Sequence, residues 1–434
     1  MANDQYDRTR IFIICTLALF TIAVSMSIGA AVADDLKSNF LDPIDFTTSA
    51  TMLGQILGIL FLGFSVTLFL VSPFMDVIGM GRAVTFAASL MILGNMVLIF
   101  AGEIAGAEDI YWVLWFGMLL KGIAWGFVES AINPATAALY PDDKTHRLNV
   151  LHAWWPAGLI VGGLSAVAIN SLGLNWQVAL SLVFIPAIAL ALLNFGVKFP
   201  KTESADLNVS FPDMIKEIFR RPSFFIWFGA MFLTAASELA PGQWVDLALT
   251  HTVGMPGILL LVYVSVIMFV MRHFAGPIAH KISSVGLLWF SALLTSIGLY
   301  MLSIANSPLS GIVAATVWGV GVCFMWPTML ASAAERFPRG GAWTIGLIGS
   351  AGALSTFIVL PLLGGAYDKA KLEAAGGAEA FAAMQAGSVE HTNSLIYAAE
   401  QSFQIAAMLP IVLLLVFGAV WYHDRKIAKS KAGE

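Results

Sequence analysis

Runs of about twenty apolar residues recur twelve times along this 434-residue chain, and positive charge is nearly confined to alternate connections between them. The runs lie near 11–33, 47–73, 83–102, 111–139, 149–171, 176–199, 223–250, 255–275, 285–305, 309–333, 341–366 and 402–423. With the amino terminus placed in the cytoplasm, 18 of the 22 Lys and Arg fall on the cytoplasmic side. Three, Lys37, Lys369 and Lys371, fall outside, and Lys121 sits within a run. A missed or invented span would invert every later connection and destroy this asymmetry. The expectation is an all-α integral membrane protein of twelve transmembrane helices, multi-pass in the cell (inner) membrane, with both termini cytoplasmic.

Composition agrees. The chain is 59% hydrophobic and 11% charged, with a mean hydropathy of +0.83. A soluble domain carries about a quarter charged residues and uses them to face water. Cys15 and Cys323 both lie in apolar runs and form no disulfide framework. The first run is long enough to span and lacks a small-residue cleavage site, so it reads as a retained helix. The net charge of −5 carries no signal for nucleic acid.

The longest inner connection, 200–222, divides the chain into an amino-terminal half (1–199) and a carboxyl-terminal half (223–434) of six helices each. Within it, SFPDMIKEIFRR offers Ser210 as cap, Pro212 in the first turn and Asp213 three residues after the cap. Met214, Ile215, Ile218 and Phe219 then share one face, which predicts a short amphipathic helix on the membrane surface. The longest outer connection, about 367–401, is rich in Ala and Gly and has no assigned role.

The halves carry matching marks. Trp125-Gly126, seven residues and Pro134 recur as Trp318-Gly319, seven residues and Pro327. SPFMDVIG (72–79) is matched by GPIAHKIS (276–283) in the equivalent connection. Duplicated six-helix halves resemble the major facilitator architecture, whose substrate site lies between the halves near midplane.

Inside the fourth run, Lys121, Trp125, Glu129 and Asn133 recur every fourth residue and form one polar and aromatic stripe. An ionisable side chain in hydrocarbon costs several kcal/mol, so each acid or base here needs a purpose. Lys121 and Glu129 lie roughly 12 Å apart along the axis and cannot pair directly. Two readings stand: structural contacts to other helices, or a polar cavity crossed by a substrate. Trp125 and Trp318, near the middle of their helices, either stack on the apolar face of a sugar or fill space between helices. His152 either lines the cavity or is a helix-end histidine, and Trp154 and Trp155 fit an interfacial belt.

SPFMDVIGMGR (72–82) resembles the superfamily's second-to-third loop signature, G-x-x-x-D-R-x-G-R-R, with Asp76, Gly79 and Arg82 in place. Ser72 replaces the glycine and Val77 the first basic residue. Such a loop is expected to latch the cytoplasmic side, an acid at one helix end meeting a helix terminus of the other half. The second copy has His280 where the acid would stand, with Arg272 and Lys281 around it.

Gly126-Phe-Val-Glu129-Ser-Ala-Ile-Asn133-Pro134 resembles the G-x-x-E-T-A-x-N-P run of the fucose–galactose–glucose:proton symporter family. Arg147-Leu148-Asn149, Trp326-Pro327-Thr328, and Glu238 followed by Gly242 and Trp244 are similar to that family's R-L-N, Y-P-T and G-x-W segments. The resemblance implies that Glu129 carries or relays the coupling proton and helps bind sugar. The candidate substrate site draws on Lys121, Trp125, Glu129, Asn133, His152, Glu238, Gln243, Trp318 and Trp326, and Lys121 is unusual for that family's pattern. The family has an aspartate in an A-N-N-L-N-D run near the outer end of helix 1, where this chain reads Ala33-Asp34-Asp35-Leu36-Lys37-Ser38. Asp34 or Asp35 takes its place, or both are solvated helix-end residues.

The seven histidines lack metal-ligand spacing and no phosphate-binding glycine loop appears, so neither a metal, a cofactor nor an ATP-driven pump is expected. No cluster of catalytic groups marks an enzyme. The expected function is secondary transport, proton-coupled uptake of a sugar by alternating access, by a monomer in membrane lipid. The alternative is a transporter of another small solute, an organic anion, nucleoside or amphipathic drug, with Lys121 as anion site.

Overall fold

The computed structural model describes residues 6–140, 144–201, 211–272, 282–337 and 341–432, and those residues contain helices and no β-strand. Twelve of the helices are α1 (Arg8–Ala31), α2 (Ser49–Val71), α3 (Met80–Ile99), α4 (Ile110–Leu139), α5 (Lys144–Ser171), α6 (Trp176–Asn194), α7 (Ser223–Val253), α8 (Ile258–Arg272), α9 (Ser284–Ser303), α10 (Pro308–Ala333), α11 (Gly341–Ala375) and α12 (Val389–Ala432). Eleven contain stretches long and apolar enough to cross a membrane. The shorter α8 occupies the eighth predicted run and ends next to residues outside the described set.

Side chains that point away from the bundle are apolar, as a lipid solvent requires: Leu192, Phe195 and Leu415 are all largely exposed. Inside, α1 packs on α5, α4 on α2 and α3, α7 on α11 and α12, and α9 on α10 and α12. Between the first six and the last six helices, contact is made chiefly where α2 meets α11 and α5 meets α8. The α2–α11 contact is close. A Cβ at Gly364 would fall 2.3 Å from the Ala50 carbonyl oxygen, so only glycine fits there. Further along, Ser65 and Ser350 exchange hydroxyl-to-carbonyl hydrogen bonds of 2.8 and 3.2 Å.

Helix ends differ most from the expected boundaries. The eleventh run was expected to end at 366, yet α11 continues to Ala375, and α12 begins at Val389 rather than 402. The extension AYDKAKLEAA is made of helix formers, which prolong a helix beyond the hydrocarbon that hydropathy detects. Gly376 and Gly377, with φ of +82° and +122°, then end it. The expected outer connection of 367–401 is thus a compact segment holding the one-turn helix Ala378–Ala383. In the linker, the helix Phe211–Arg220 is present, with Ile218 buried and Phe219 exposed. Its expected cap, Ser210, lies outside the described residues.

Candidate functional site

The α4 stripe forms a hydrogen-bonded line. Glu129 accepts from the Trp125 indole Nε1 at 3.4 Å through Oε1, and from Asn133 Nδ2 at 2.7 Å through Oε2. Both donors come from its own helix, one turn before and one turn after, as the i,i+4 geometry dictates. Asn133 Oδ1 then meets His152 Nε2 of α5 at 3.0 Å. A carboxylate, an amide and an imidazole are joined in series.

The stripe's outer members behave differently. Trp125 is buried and stacks on Phe64 (4.0 Å between centroids) and on Trp155 (5.0 Å), with Phe61 edge-on. Its ring is occupied by other rings. Lys121 is 1% exposed, lies against Gly94 of α3 and points its Nζ toward Gly29 of α1. It makes no hydrogen bond or ion pair with any described residue. Among the described residues no other helix supplies it a polar partner, which leaves the polar-cavity reading for this side chain.

In both halves, prolines determine where polar groups are needed. A proline has no N–H, so the carbonyl four residues earlier loses its helical donor. Pro156, Pro241 and Pro327 lie inside α5, α7 and α10 and release the carbonyls of His152, Ser237 and Cys323. The Trp318 indole donates to Ser237 O at 3.3 Å. Arg272 donates Nε to Cys323 O at 3.1 Å and Nη1 to His152 O at 3.5 Å. Its Nη2 stands 3.5 Å from Glu238 Oε1, and both side chains are largely buried. Arg272 was expected with the cytoplasmic loop. Here its guanidinium lies inside the bundle, between α5 of one half and α7 and α10 of the other.

The remaining candidates spread out. Gln243 is buried on α7 without a hydrogen bond to any described residue, and Trp326 is half-buried on α10 beside Gly352 of α11. Asp34 and Asp35 sit exposed on the one-turn helix Ala33–Leu36, far in sequence from the α4 line. Although the Asp35 side chain reaches solvent, partial desolvation against the bundle and the neighbouring Asp34 push its carboxyl above the usual value. In the loop signature, Gly79 adopts φ +86° and Arg82 donates to Val77 O at 3.2 Å. Asp76 lies in the short helix Met75–Ile78. Lys281 is outside the described residues.

One cluster escaped the sequence reading. Asp368 and Lys371 of α11 form a buried ion pair at 2.7 Å. The signal was present: an acid and a base three apart at the end of an apolar run, on one helix face.

Residues 11–360 match the family model of the Major Facilitator Superfamily. The chain belongs to the Major Facilitator Superfamily. No curated protein matches it. Among solved structures it is similar to a D-xylose-proton symporter, with a TM-score of 0.73 at 15% identity over 93% of this chain and 97% of that one. It is also similar to the nucleoside transporter NupG, with a TM-score of 0.70 at 13% identity over 95% and 99%. The E. coli fucose:proton symporter FucP aligns with a TM-score of 0.55 at 16% identity over 92% and 98%. At such identities the likeness establishes the fold of this superfamily member, and the chemistry rests on its own residues.

Proposed function

We propose that this superfamily member is a secondary active transporter that takes up a sugar together with protons, by alternating access between its halves (1–199 and 223–434, joined by the 200–222 linker). The observation that carries the reading is the Glu129–Asn133–His152 line, which places a carboxylate in the membrane with both oxygens engaged by re-orientable side chains. A proton arriving at Glu129 weakens the bond it accepts from Asn133, which frees the Asn133 amide to turn toward the substrate. Sugar hydroxyls take Asn133, His152, Gln243 and Lys121 as partners, while Asp34 and Asp35 serve as acids at the outer entrance. Glu238 and Arg272 continue the polar line into the second half. The protein works as a monomer in the inner membrane, with both termini in the cytoplasm. The superfamily membership and the fold shared with a D-xylose-proton symporter and the fucose:proton symporter FucP support the class of reaction.

One observation favours a second reading. Lys121 is a buried amine with no partner among the described residues, which suits the carboxylate of an organic anion as its counter-charge. Purified protein in proteoliposomes, offered sugars, nucleosides and carboxylates with and without an inward proton gradient, separates the two. Gradient-driven sugar accumulation is expected. Accumulation of carboxylates alone selects the second reading, and solute flux indifferent to the gradient overturns proton coupling.

A further inference from the structure

At the end of the bundle opposite the Phe211–Arg220 linker helix, α2 begins without a cap of its own. The Thr48 hydroxyl donates to Asp45 instead of accepting from the helix. Its first backbone N–H groups are served from the other half. Asp368 of α11 accepts from Thr51 N at 2.7 Å, Thr51 Oγ1 at 2.8 Å and Ala50 N at 3.3 Å. An anion at a helix amino terminus satisfies orphan donors and complements the helix dipole. Lys371, one turn further along α11, holds Asp368 at 2.7 Å and donates to Phe46 O at 2.6 Å. Over this cluster lies the compact connection between α11 and α12. Phe381 stacks on Phe46 (6.1 Å, 17° between planes), lies 5.7 Å from Lys371 Nζ and 5.2 Å from the His391 ring.

We propose that Asp368, Lys371 and Phe381 are positioning residues of the transport cycle, holding the two halves together at this end, and that their release from Phe46, Ala50 and Thr51 is a required step in opening to that side. Both charges of the pair belong to α11. When the halves part, Asp368 leaves with its cation, and no buried charge is left uncompensated, which is the costly outcome in breaking an ion pair. The first turn of α2 is left to water, which can serve its donors. Phe381 shields the cluster while it is closed, so that water does not compete for its hydrogen bonds. This role is independent of which solute is carried. On the proposed topology the end is the outer one.

The test uses the full chain with Cys15→Ser and Cys323→Ala and one reporter cysteine at a time. Gly365→Cys stands beside Thr51 in the closed contact, and Ser72→Cys faces Gly346 of α11 at the other end of α2. Labelling by an impermeant maleimide is followed from outside for the first and in permeabilised membranes for the second. Asp368→Asn is expected to speed labelling at position 365 about tenfold, as loss of a charge-assisted bond shifts a two-state equilibrium, while labelling at 72 slows. Phe381→Ala is expected to act in the same direction. Faster labelling at both positions would show general loosening and overturn the proposal, as would unchanged labelling at 365. Should Asp368→Asn fail to fold, Phe381→Ala, which removes only a ring from the covering segment, decides alone.

Discussion

Arg272 donates to the carbonyl of Cys323 at 3.1 Å, and that carbonyl has no helical donor because residue 327 is proline. The same guanidinium reaches His152 O, left open by Pro156. One side chain of α8 thus serves two proline-released carbonyls, one on α5 and one on α10. A guanidinium can do this because its donors are fixed in a planar fork, whereas an ammonium group is a single point. Arg272→Lys is expected to lower stability by about 1–3 kcal/mol, the usual cost of stranding buried acceptors. Pro327→Ala restores the N–H that Cys323 lacks, so the same change should cost less in its presence. Thermal unfolding in detergent of the two single variants and the double variant measures this. Strictly additive costs would mean that Arg272 does not act on that carbonyl.

Trp318 follows the same logic. Its indole fills the place of the Pro241 N–H at Ser237 O, and the residue is 1% exposed. Trp318→Phe should therefore reduce stability by about 1–3 kcal/mol and leave solute affinity per folded molecule unchanged. Trp125→Phe keeps a ring against Phe64 and Trp155 but loses the N–H to Glu129, so its main effect should fall on coupling. Equilibrium binding on the folded fraction tests both. A tenfold weaker Kd in either variant would restore a stacking role.

Much of this architecture was legible because a bilayer imposes simple rules. Each predicted apolar run is a helix, since unpaired backbone cannot rest in hydrocarbon. The Trp125–Glu129–Asn133 line followed from fourfold spacing alone. What could not be read were contacts made across helices. Arg272 sits near a loop signature in sequence, and nothing local says that its side chain turns inward. The prolines were the unused signal, because each one in a helix releases a carbonyl that some donor must find. Lys371 was counted as outer charge, and its burial with Asp368 depends on how closely glycines let α11 approach α2.

Two acids before α2 should give opposite pH responses. Asp45 accepts from Thr47 N, Thr47 Oγ1 and Thr48 Oγ1 at 2.5–2.9 Å, and these bonds hold its carboxyl below the usual range. A depressed folded pKa contributes stability above the unfolded pKa, lost as pH falls through the folded one. Asp35 is shifted upward by burial and Asp34, so its ionisation opposes folding as pH rises through the carboxylate range. Asp35→Asn should stabilise at neutral pH and have no effect in strong acid. Asp45→Asn should destabilise at neutral pH and likewise fade in acid. Unfolding midpoints across pH 3–7 check the signs, and a common sign for the two variants would refute the assignment.

The proposed orientation is tested with single cysteines in a background lacking Cys15 and Cys323. Ala380→Cys, in the covering connection, should react with an impermeant thiol reagent in intact cells. Lys201→Cys, after α6, should react only once the membrane is opened. Both positions labelling from one side would require an even number of crossings between them and is incompatible with the five helices, α7 to α11, that separate residues 201 and 380.

Glu129 is the residue on which coupling is expected to turn. Its two oxygens are bonded within α4, so replacing the carboxylate by an amide of the same shape keeps the space filled while removing the site of protonation. Asn133 then faces a group that can both donate and accept, and its link to His152 can persist. Glu129→Gln should therefore keep solute binding and exchange across the membrane, and lose accumulation driven by a proton gradient. The two activities are measured in the same proteoliposomes, counterflow without a gradient and uptake with one. Exchange by the parent should depend on pH, and the variant should lose that dependence, which a merely structural role would not alter. Gradient-driven accumulation at the parental level in Glu129→Gln would show that the coupling proton travels elsewhere.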